Sequence, residues 1–514
     1  MELKTKLIDL ATGGKLIVIL NVEDAAEIGA RSQSRVLLRC GSREVIAIIN
    51  TTDKIIHKGE LGIFVEVKEK LSLKGSELVD IRLSTPPRSL NYIRNRLRGR
   101  KLTYDETTEV IKDTVNGKLS EIEIASFVTS LYYHGVDLDE ATNLSLAMIE
   151  TGEKIDFEKH PIVDKHSIGG VPGDKTTLLV VPIVAAYGLT IPKSSSRAIT
   201  SAAGTADRAE SLMPVSLSLD EMKKVIKKTG GCIIWGGTLE LSPADDIFIQ
   251  VEFPLSIDPL LLPSIISKKK AVGSEYVLID IPCGWGAKIK TLDEANLLAR
   301  DFIELGRRLK LNIRCAITYG NQPIGYCIGP ALEAKEALEN LMNLRLSQDL
   351  VDKATDIAGL IFEMVGGTDG KTTAMNLLKS GKAEEKFREI IEAQGGDSNI
   401  QPQEIPLGDH VYTISAQQRG YVVWVNNSGI VDLARSAGAP KDKGAGILLH
   451  KKVGDIVKKD DALLTIYSEK SSKLTSALKI EEKHIIMMIG QRTEMLMGEV
   501  KAPTLEEEKF ILER

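Results

Sequence analysis

Aromatic side chains are scarce: Phe, Tyr and Trp together make up 4% of 514 residues. A surface that stacks single-stranded bases needs such rings, so the scarcity argues against one. An excess of basic charge is also missing, since 66 Lys and Arg face 71 Asp and Glu for a net charge of −5. Duplex binding draws on a basic footprint, and no large acidic block marks a cationic partner, so no nucleic-acid partner is expected. Cysteine is rare. Cys40, Cys232, Cys283, Cys315 and Cys327 form no C-x-x-C pair and are odd in number. A disulfide framework is not expected, and a reducing cytoplasm is the expected location. No apolar run of about 18 residues occurs, and nothing like a signal peptide follows the start MELKTK, so neither a membrane span nor export is expected. The seven histidines include no H-x-x-x-H pair and no nearby Cys partner, so no metal site is expected.

What is present suffices for several cores. The chain is 43% hydrophobic, and its length predicts about two to four domains. Residues 1–84 carry short β-rich runs, 15–21 (KLIVILN), 35–40 (RVLLRC), 44–50 (EVIAIIN) and 62–67 (GIFVEV), bounded by Gly, Asn, Asp and Ser. They predict a small β barrel suited to assembly. Thr85-Pro86-Pro87 then breaks the pattern.

Residues 88–155 change period. Thr103-x-x-Glu106, Ser120-x-x-Glu123 and Asp137-x-x-Glu140 read as capping boxes or close variants opening amphipathic helices. This predicts a helical domain, joined by a later segment near 240–271. Arg94, Arg96, Arg98, Arg100 and Lys101 read as a solvated face, with anion contact as the alternative.

Over 160–424, β-branched runs such as 177–181 (TLLVV), 232–235 (CIIW) and 277–281 (VLIDI) alternate with helical patterns. They predict a central α/β domain on a mixed or parallel sheet. Residues 425–514 are strand-like again and predict a C-terminal α+β module. Its stretch 446–468 resembles lipoyl and biotinyl carriers but shows no modifiable Lys at a recognisable hairpin tip, so a structural role is expected. The expected fold class is therefore multidomain α/β.

Two segments carry the chemistry. The first is Asp164-Lys165-His166-Ser167-Ile168-Gly169-Gly170-Val171-Pro172-Gly173-Asp174-Lys175-Thr176-Thr177. Its glycines let backbone N–H groups approach an anion, Lys165 supplies charge, and Ser167, Thr176 and Thr177 supply hydroxyls. The bland alternative is a tight glycine turn. A P-loop needs G-x-x-x-x-G-K-[ST]. Asp174 separates Gly173 from Lys175 here, and the second near-match, at 366–372 (GGTDGKT), is one residue short. A P-loop-like ATPase or kinase is the runner-up from another class, and a non-catalytic scaffold built on the two β modules is a third reading. The second segment runs from Lys193 to Asp207 (KSSSRAITSAAGTAD) and is rich in hydroxyls and small residues around Arg197. It suits a ligand lying against the backbone, or a flexible polar loop.

Together the pair K-H-S-x-G-G and S-x-R-x-x-x-x-x-x-G-T-x-D-x-x-E (Ser195, Arg197, Gly204, Thr205, Asp207 and Glu210 here) resembles the thymidine/pyrimidine-nucleoside phosphorylase family. The resemblance runs from about residue 88 to the C-terminus. The extra N-terminal domain with KHSxGGVPGDKTT and SSRAITSAAGTAD is similar to the family's archaeal branch acting on nucleoside monophosphates.

The resemblance implies phosphorolysis of AMP, with CMP and UMP as further substrates, to free base and ribose 1,5-bisphosphate in nucleotide salvage. Inorganic phosphate is then a co-substrate and no cofactor is needed. Lys165, Ser167, Thr177, Ser195 and Thr205 would hold that phosphate. Gly170, Ser196, Arg197, Ala198, Ile199, Thr200, Ser201 and Thr205 would line the nucleotide site, completed by Ser264 and Lys288. Asp258, in Ser256-Ile257-Asp258-Pro259, would be the acid, and Lys268 the base-side lysine. A homodimer or larger homo-oligomer is implied, as is a helical domain hinged on the α/β domain with the cleft between.

Two departures stand out. Ile249 occupies the register of the Arg that grips a pyrimidine, which weakens the alternative of a thymidine or pyrimidine-nucleoside phosphorylase. The segment from Asp258 to Ser264 is shorter than in the monophosphate branch. Read without the resemblance, Asp258 is equally a helix cap or turn residue before Pro259, and His166 is either an acid–base group or an organiser of its loop.

Overall fold

The computed structural model describes residues 1–199, 201–239 and 241–490. Thr200, and the 491–514 part of the expected C-terminal module, lie outside the described residues. The N-terminal strands close into a six-stranded barrel in the order Glu2–Leu7, Glu60–Ile63, Ile17–Asn21, Arg43–Thr52, Arg35–Cys40 and Leu78–Leu83. Side chains alternate across each strand, so Val18, Leu20, Val36, Leu38, Ile49, Val79 and Ile81 fill the interior with no exposure. The first and last strands escape a reading by β-rich runs because Lys4, Lys6, Asp80 and Arg82 interrupt them. The run 62–67 is split: its strand ends at Ile63, and Val65–Leu71 is helical.

Six helices form the helical domain: Ser89–Leu97, Tyr104–Val115, Glu121–His134, Leu138–Thr151, Pro243–Leu255 and Leu261–Ala271. Thr103 and Ser120 make full capping boxes with Glu106 and Glu123, and Asp137 accepts the Glu140 N–H at 2.9 Å. Each such cap is worth about 1 kcal/mol. Phe127 and Phe248 meet with ring centroids 6.0 Å apart, joining the early helices to the late pair. The arginine run is not uniformly solvated. Arg96 is 1% exposed and pairs with Glu140 at 2.9 Å, because its place on the inner face of its helix points it at the first turn of the helix Leu138–Thr151.

In the α/β domain the strands Asn312–Tyr319, Tyr276–Cys283 and Val163–Ser167 pair in parallel. A bridge from Ile162 to Thr190 continues the sheet to the parallel pair Ile191–Ser195 and Gly231–Trp235. All five strands therefore end at one edge. The segment 177–181, expected as a strand, lies in the helix Thr176–Tyr187. Every residue from Thr176 to Ala185 is buried there. A helix covered on all sides loses its amphipathic period and mimics a buried strand in sequence.

The C-terminal module holds an antiparallel sheet in the order Cys327–Ile328, Gly446–Leu449, Ala462–Ser468 and His410–Ser415, and a smaller sheet centred on Gly420–Val425. Both His410–Ser415 and most of Gly420–Val425 precede residue 425. The module thus starts before the expected boundary, because these strands pair with partners later in the chain.

Candidate active site

The site forms where loops leave the common edge of the parallel strands, the position such sheets reserve for ligands. Val163–Ser167 runs into the glycine loop, Ile191–Ser195 into the hydroxyl-rich loop, and Tyr276–Cys283 into the turn carrying Lys288.

Lys165 is 2% exposed, and its Nζ donates to Thr177 Oγ1 at 3.2 Å, at the first turn of the helix Thr176–Tyr187. Burial pushes its ammonium pKa down, against the pull of Asp174 and Asp280. Ser167 Oγ donates to Asp174 Oδ2 at 3.3 Å, and Lys353 reaches the same oxygen at 3.2 Å and Asp280 at 2.8 Å. Burial alone would raise the Asp174 carboxyl, but Lys353 and Lys165 hold it well below the usual range. Arg208 ties this cradle to the second segment. It donates to the Asp174 carbonyl at 2.6 Å and to Thr205 Oγ1 at 3.4 Å, and it pairs with Glu333.

The second segment folds tightly on itself. Asp207 Oδ2 accepts the N–H groups of Ala198 (2.7 Å) and Gly204 (2.8 Å). A Cβ at Gly204 would sit 2.5 Å from the Ala198 nitrogen, so only glycine fits. Arg197 is held by both oxygens of Glu210, at 2.7 and 2.8 Å, and lies 5.0 Å over the Trp235 ring. Ser196, Ala198, Ile199 and Ser201 follow the same loop, and Ser195 donates to the Ile234 carbonyl at 3.0 Å.

The acid side comes from the helical domain. Asp258 sits between the helices Pro243–Leu255 and Leu261–Ala271. It caps neither helix, for the second opens at Leu260 with no side-chain cap. Lys288 Nζ stands 3.8 Å from Asp258 Oδ2, and Gly170, at φ +93°, brings its backbone against Lys288 so closely that a Cβ would meet the Lys288 nitrogen at 2.6 Å. Residues 88 positions apart in the chain, Gly170 and Asp258, thus meet one lysine. Burial raises the Asp258 carboxyl above its ordinary value; Lys288 opposes the shift and Asp245 adds to it. Ser264 and Lys268, four residues apart, share a face of the next helix. Lys268 pairs with Asp245, which ties the two helices flanking the acid.

His166 is half-buried, and burial together with Lys269, Lys193, Lys165 and Lys268 holds its imidazole well below the usual range. Its ring makes no hydrogen bond to the other described residues. Of the P-loop-like lysines, Lys175 is fully buried against Glu336 at 2.5 Å, and Lys371 pairs with Asp356 at the surface. Both are committed to carboxylates of the protein itself.

Motif reasoning from the sequence does not mark Asp174, Lys353, Asp280, Arg208, Glu252 or Asp245 as site residues. Lys353 leaves a readable trace, a cation among Val351, Ala354 and Ile357 on a buried helix face. Asp280, Arg208 and Asp245 carry no local signal because their charged partners lie 23 or more positions away. Glu252 and Asp174 carry none because nothing in their local sequence separates them from an ordinary surface carboxylate.

The chain matches three family models: a glycosyl transferase family helical bundle domain over residues 90–152, the a/b domain of that family over 159–384, and a pyrimidine nucleoside phosphorylase C-terminal domain over 421–487. It is 48% identical over 491 residues to an AMP phosphorylase of Thermofilum pendens, covering 96% of each chain. It is 50% identical to that of Pyrococcus furiosus, over 94% of this chain and 97% of the relative. The anthranilate phosphoribosyltransferase of Thermus thermophilus superposes with a TM-score of 0.50 at 18% identity, over 59% of this chain and 98% of that one. That likeness is one of fold.

Proposed function

The chain belongs to the AMP phosphorylase family, and from that premise we propose that it cleaves AMP with inorganic phosphate to adenine and ribose 1,5-bisphosphate. A phosphate oxygen bonds to C1′ as the bond from C1′ to the base nitrogen breaks. The electron pair of that bond goes to the base, which takes a proton as it leaves. In this reading Lys165, Ser167, Thr177, Ser195 and Thr205 hold the attacking phosphate, and positioning supplies much of the rate. Residues 196–201 with Gly170, Ser264 and Lys288 hold the nucleotide, and Lys268 faces the base. Asp258 donates the proton, for which a raised carboxyl pKa is the right preparation.

The observation that carries this reading is the meeting of Asp258 with Lys288 at 3.8 Å beside the Gly170 loop, which sets an acid of one domain against the anion cradle of the other. No cofactor enters the reaction. By the family resemblance CMP and UMP are further substrates, and Ile249, in the register of the Arg that grips a pyrimidine, weakens the reading of a pyrimidine-nucleoside phosphorylase. The product feeds nucleotide salvage. A homodimer or larger homo-oligomer in the cytoplasm completes the reading, and five cysteines free of disulfides suit that compartment.

Chromatography of free bases from AMP, CMP, UMP and adenosine, with and without phosphate, tests it. Phosphate-dependent adenine release from AMP is expected. Release from adenosine in preference to AMP, or release without phosphate, overturns it.

A further inference from the structure

The loop that carries residues 196–204 leans on the C-terminal module through three separate contacts. Arg435, on the helix Asn427–Ala437, donates from Nη1 to the carbonyl oxygens of Ile199 at 2.9 Å and Ser201 at 3.2 Å. Ala202, 1% exposed, packs into the module's own hydrophobic core with Ile430, Leu433 and Ala434. Lys443 reaches the Glu210 carboxylate at 3.1 Å and the Glu210 carbonyl at 3.4 Å. Glu210 in turn holds the Arg197 guanidinium by both oxygens.

These contacts set which way the loop backbone faces. In a trans peptide the C=O and N–H point in opposite directions. A Ser201 carbonyl turned toward Arg435 therefore turns the Ala202 N–H away from it, and the buried Ala202 methyl stops that peptide from rotating. The Lys443–Glu210–Arg197 chain does the same for the start of the loop, where Arg197 is pinned above Trp235. Arg435 is itself exposed, and an exposed cation adds little to global stability. Its two bonds go to loop carbonyls, so their effect falls on loop shape.

We propose that Arg435 and Lys443 are positioning residues through which the C-terminal module shapes the nucleotide-binding loop. The module thereby takes part in substrate selection without touching substrate. The proposal rests on the reading above that residues 196–201 hold the nucleotide.

The test uses the full chain as wild type, Arg435→Ala, Arg435→Lys and Lys443→Ala. The KM for AMP, the KM for phosphate and the thermal midpoint are measured for each. Arg435→Ala raises the KM for AMP about tenfold, the scale of losing a charge-assisted hydrogen bond that sets binding geometry, and leaves the KM for phosphate within about twofold. Arg435→Lys recovers part of the loss, since an ammonium still donates to one carbonyl. Lys443→Ala moves the KM for AMP the same way by less. An unchanged KM for AMP in Arg435→Ala overturns the proposal. So does an equal rise in both KM values with a lowered midpoint, the mark of a merely structural role. Wild-type chain that releases no base from AMP removes the functional reading and this proposal with it. Active wild type with an indifferent Arg435→Ala removes the proposal alone.

Discussion

On the proposed phosphate side of the site, Lys165, Asp174, Asp280 and Lys353 are each at most 9% exposed, and Lys353 bridges two carboxylates at 2.8 and 3.2 Å. On the acid side, Asp258 and Lys288 keep 47% and 52% of their side-chain surface in contact with solvent and stand 3.8 Å apart. The cradle thus holds its charges by mutual compensation in a dry interior, where a missing partner leaves an expensive unpaired ion. On the acid side partial burial and Asp245 raise the Asp258 carboxyl against Lys288, an arrangement that tunes rather than locks. In the proposed reading one half of the site is a rigid anion receptor, while the other is a titratable group poised at a junction between domains.

The largest break in this contrast is Asp258→Asn. The amide cannot donate an acidic proton to a leaving base, so kcat falls by about 10²–10⁴, the usual share of general acid catalysis, while phosphate binding persists. Steady-state kinetics with a separate phosphate-binding isotherm check it, and undiminished adenine release counts against the assignment. Next comes Lys353→Met, aimed at the opposite side. It strands Asp174 and Asp280 without their shared cation, and should cost about 3–5 kcal/mol in denaturant unfolding, the scale of breaking a buried pair. The KM for phosphate rises with it. If the two variants exchanged these effects, the division of labour between the sides would be wrong.

Glu252 sharpens the acid side. It is 6% exposed, and burial with help from Asp258 and Asp245 pushes its carboxyl from 4.5 to about 8. Its Oε1 accepts the Leu260 N–H at 3.3 Å, bracing the turn that carries Asp258. Between these two pH values the folded chain keeps a proton that the unfolded chain releases, so folding loses stability as pH rises. Glu252→Gln cannot ionise and should flatten that slope, by on the order of 5 kcal/mol across the window. Urea midpoints taken below and above the window, for both proteins, decide the matter. Parallel slopes would mean that Glu252 ionises freely in the folded chain.

Legibility in the sequence follows the range of the interactions. Capping boxes at Thr103 and Ser120 are local, and the folded helices start where they stand. The glycine loop and the hydroxyl-rich loop are also local and lie at one sheet edge. The helix Thr176–Tyr187 misleads because burial on every side erases its period. Lys353 and Asp280 escape notice since their partnership spans 73 positions and exists only once helix and strand pack. Glu252 is hidden for a different reason: its chemistry comes from Asp258 and Asp245 beside it in space, and nothing in PADDIFIQVEFPL marks one carboxylate as protonated.

On the titration of the acid, Lys288→Met carries the smallest expected effect and the finest test of the contrast. Separately, the KM for AMP rises, because Lys288 also holds the nucleotide in the proposed reading. A general acid must be protonated to act, so activity falls as pH climbs past the Asp258 pKa. Lys288 favours the carboxylate and holds that pKa down against burial. Its removal therefore moves the alkaline limb of kcat/KM to higher pH. The pair is half-exposed, so solvent screens it, and its worth is about 0–1 kcal/mol, less than about one pH unit. Salt supplies the control. Raising ionic strength toward about 1 M shortens the screening length to about 3 Å and should carry the wild-type limb toward that of Lys288→Met. The buried Lys353 bridge is sheltered from that screening, so the KM for phosphate should respond far less beyond direct competition by the anion of the salt. A limb that moves to lower pH in Lys288→Met would show that the lysine supports the protonated acid by some route other than charge.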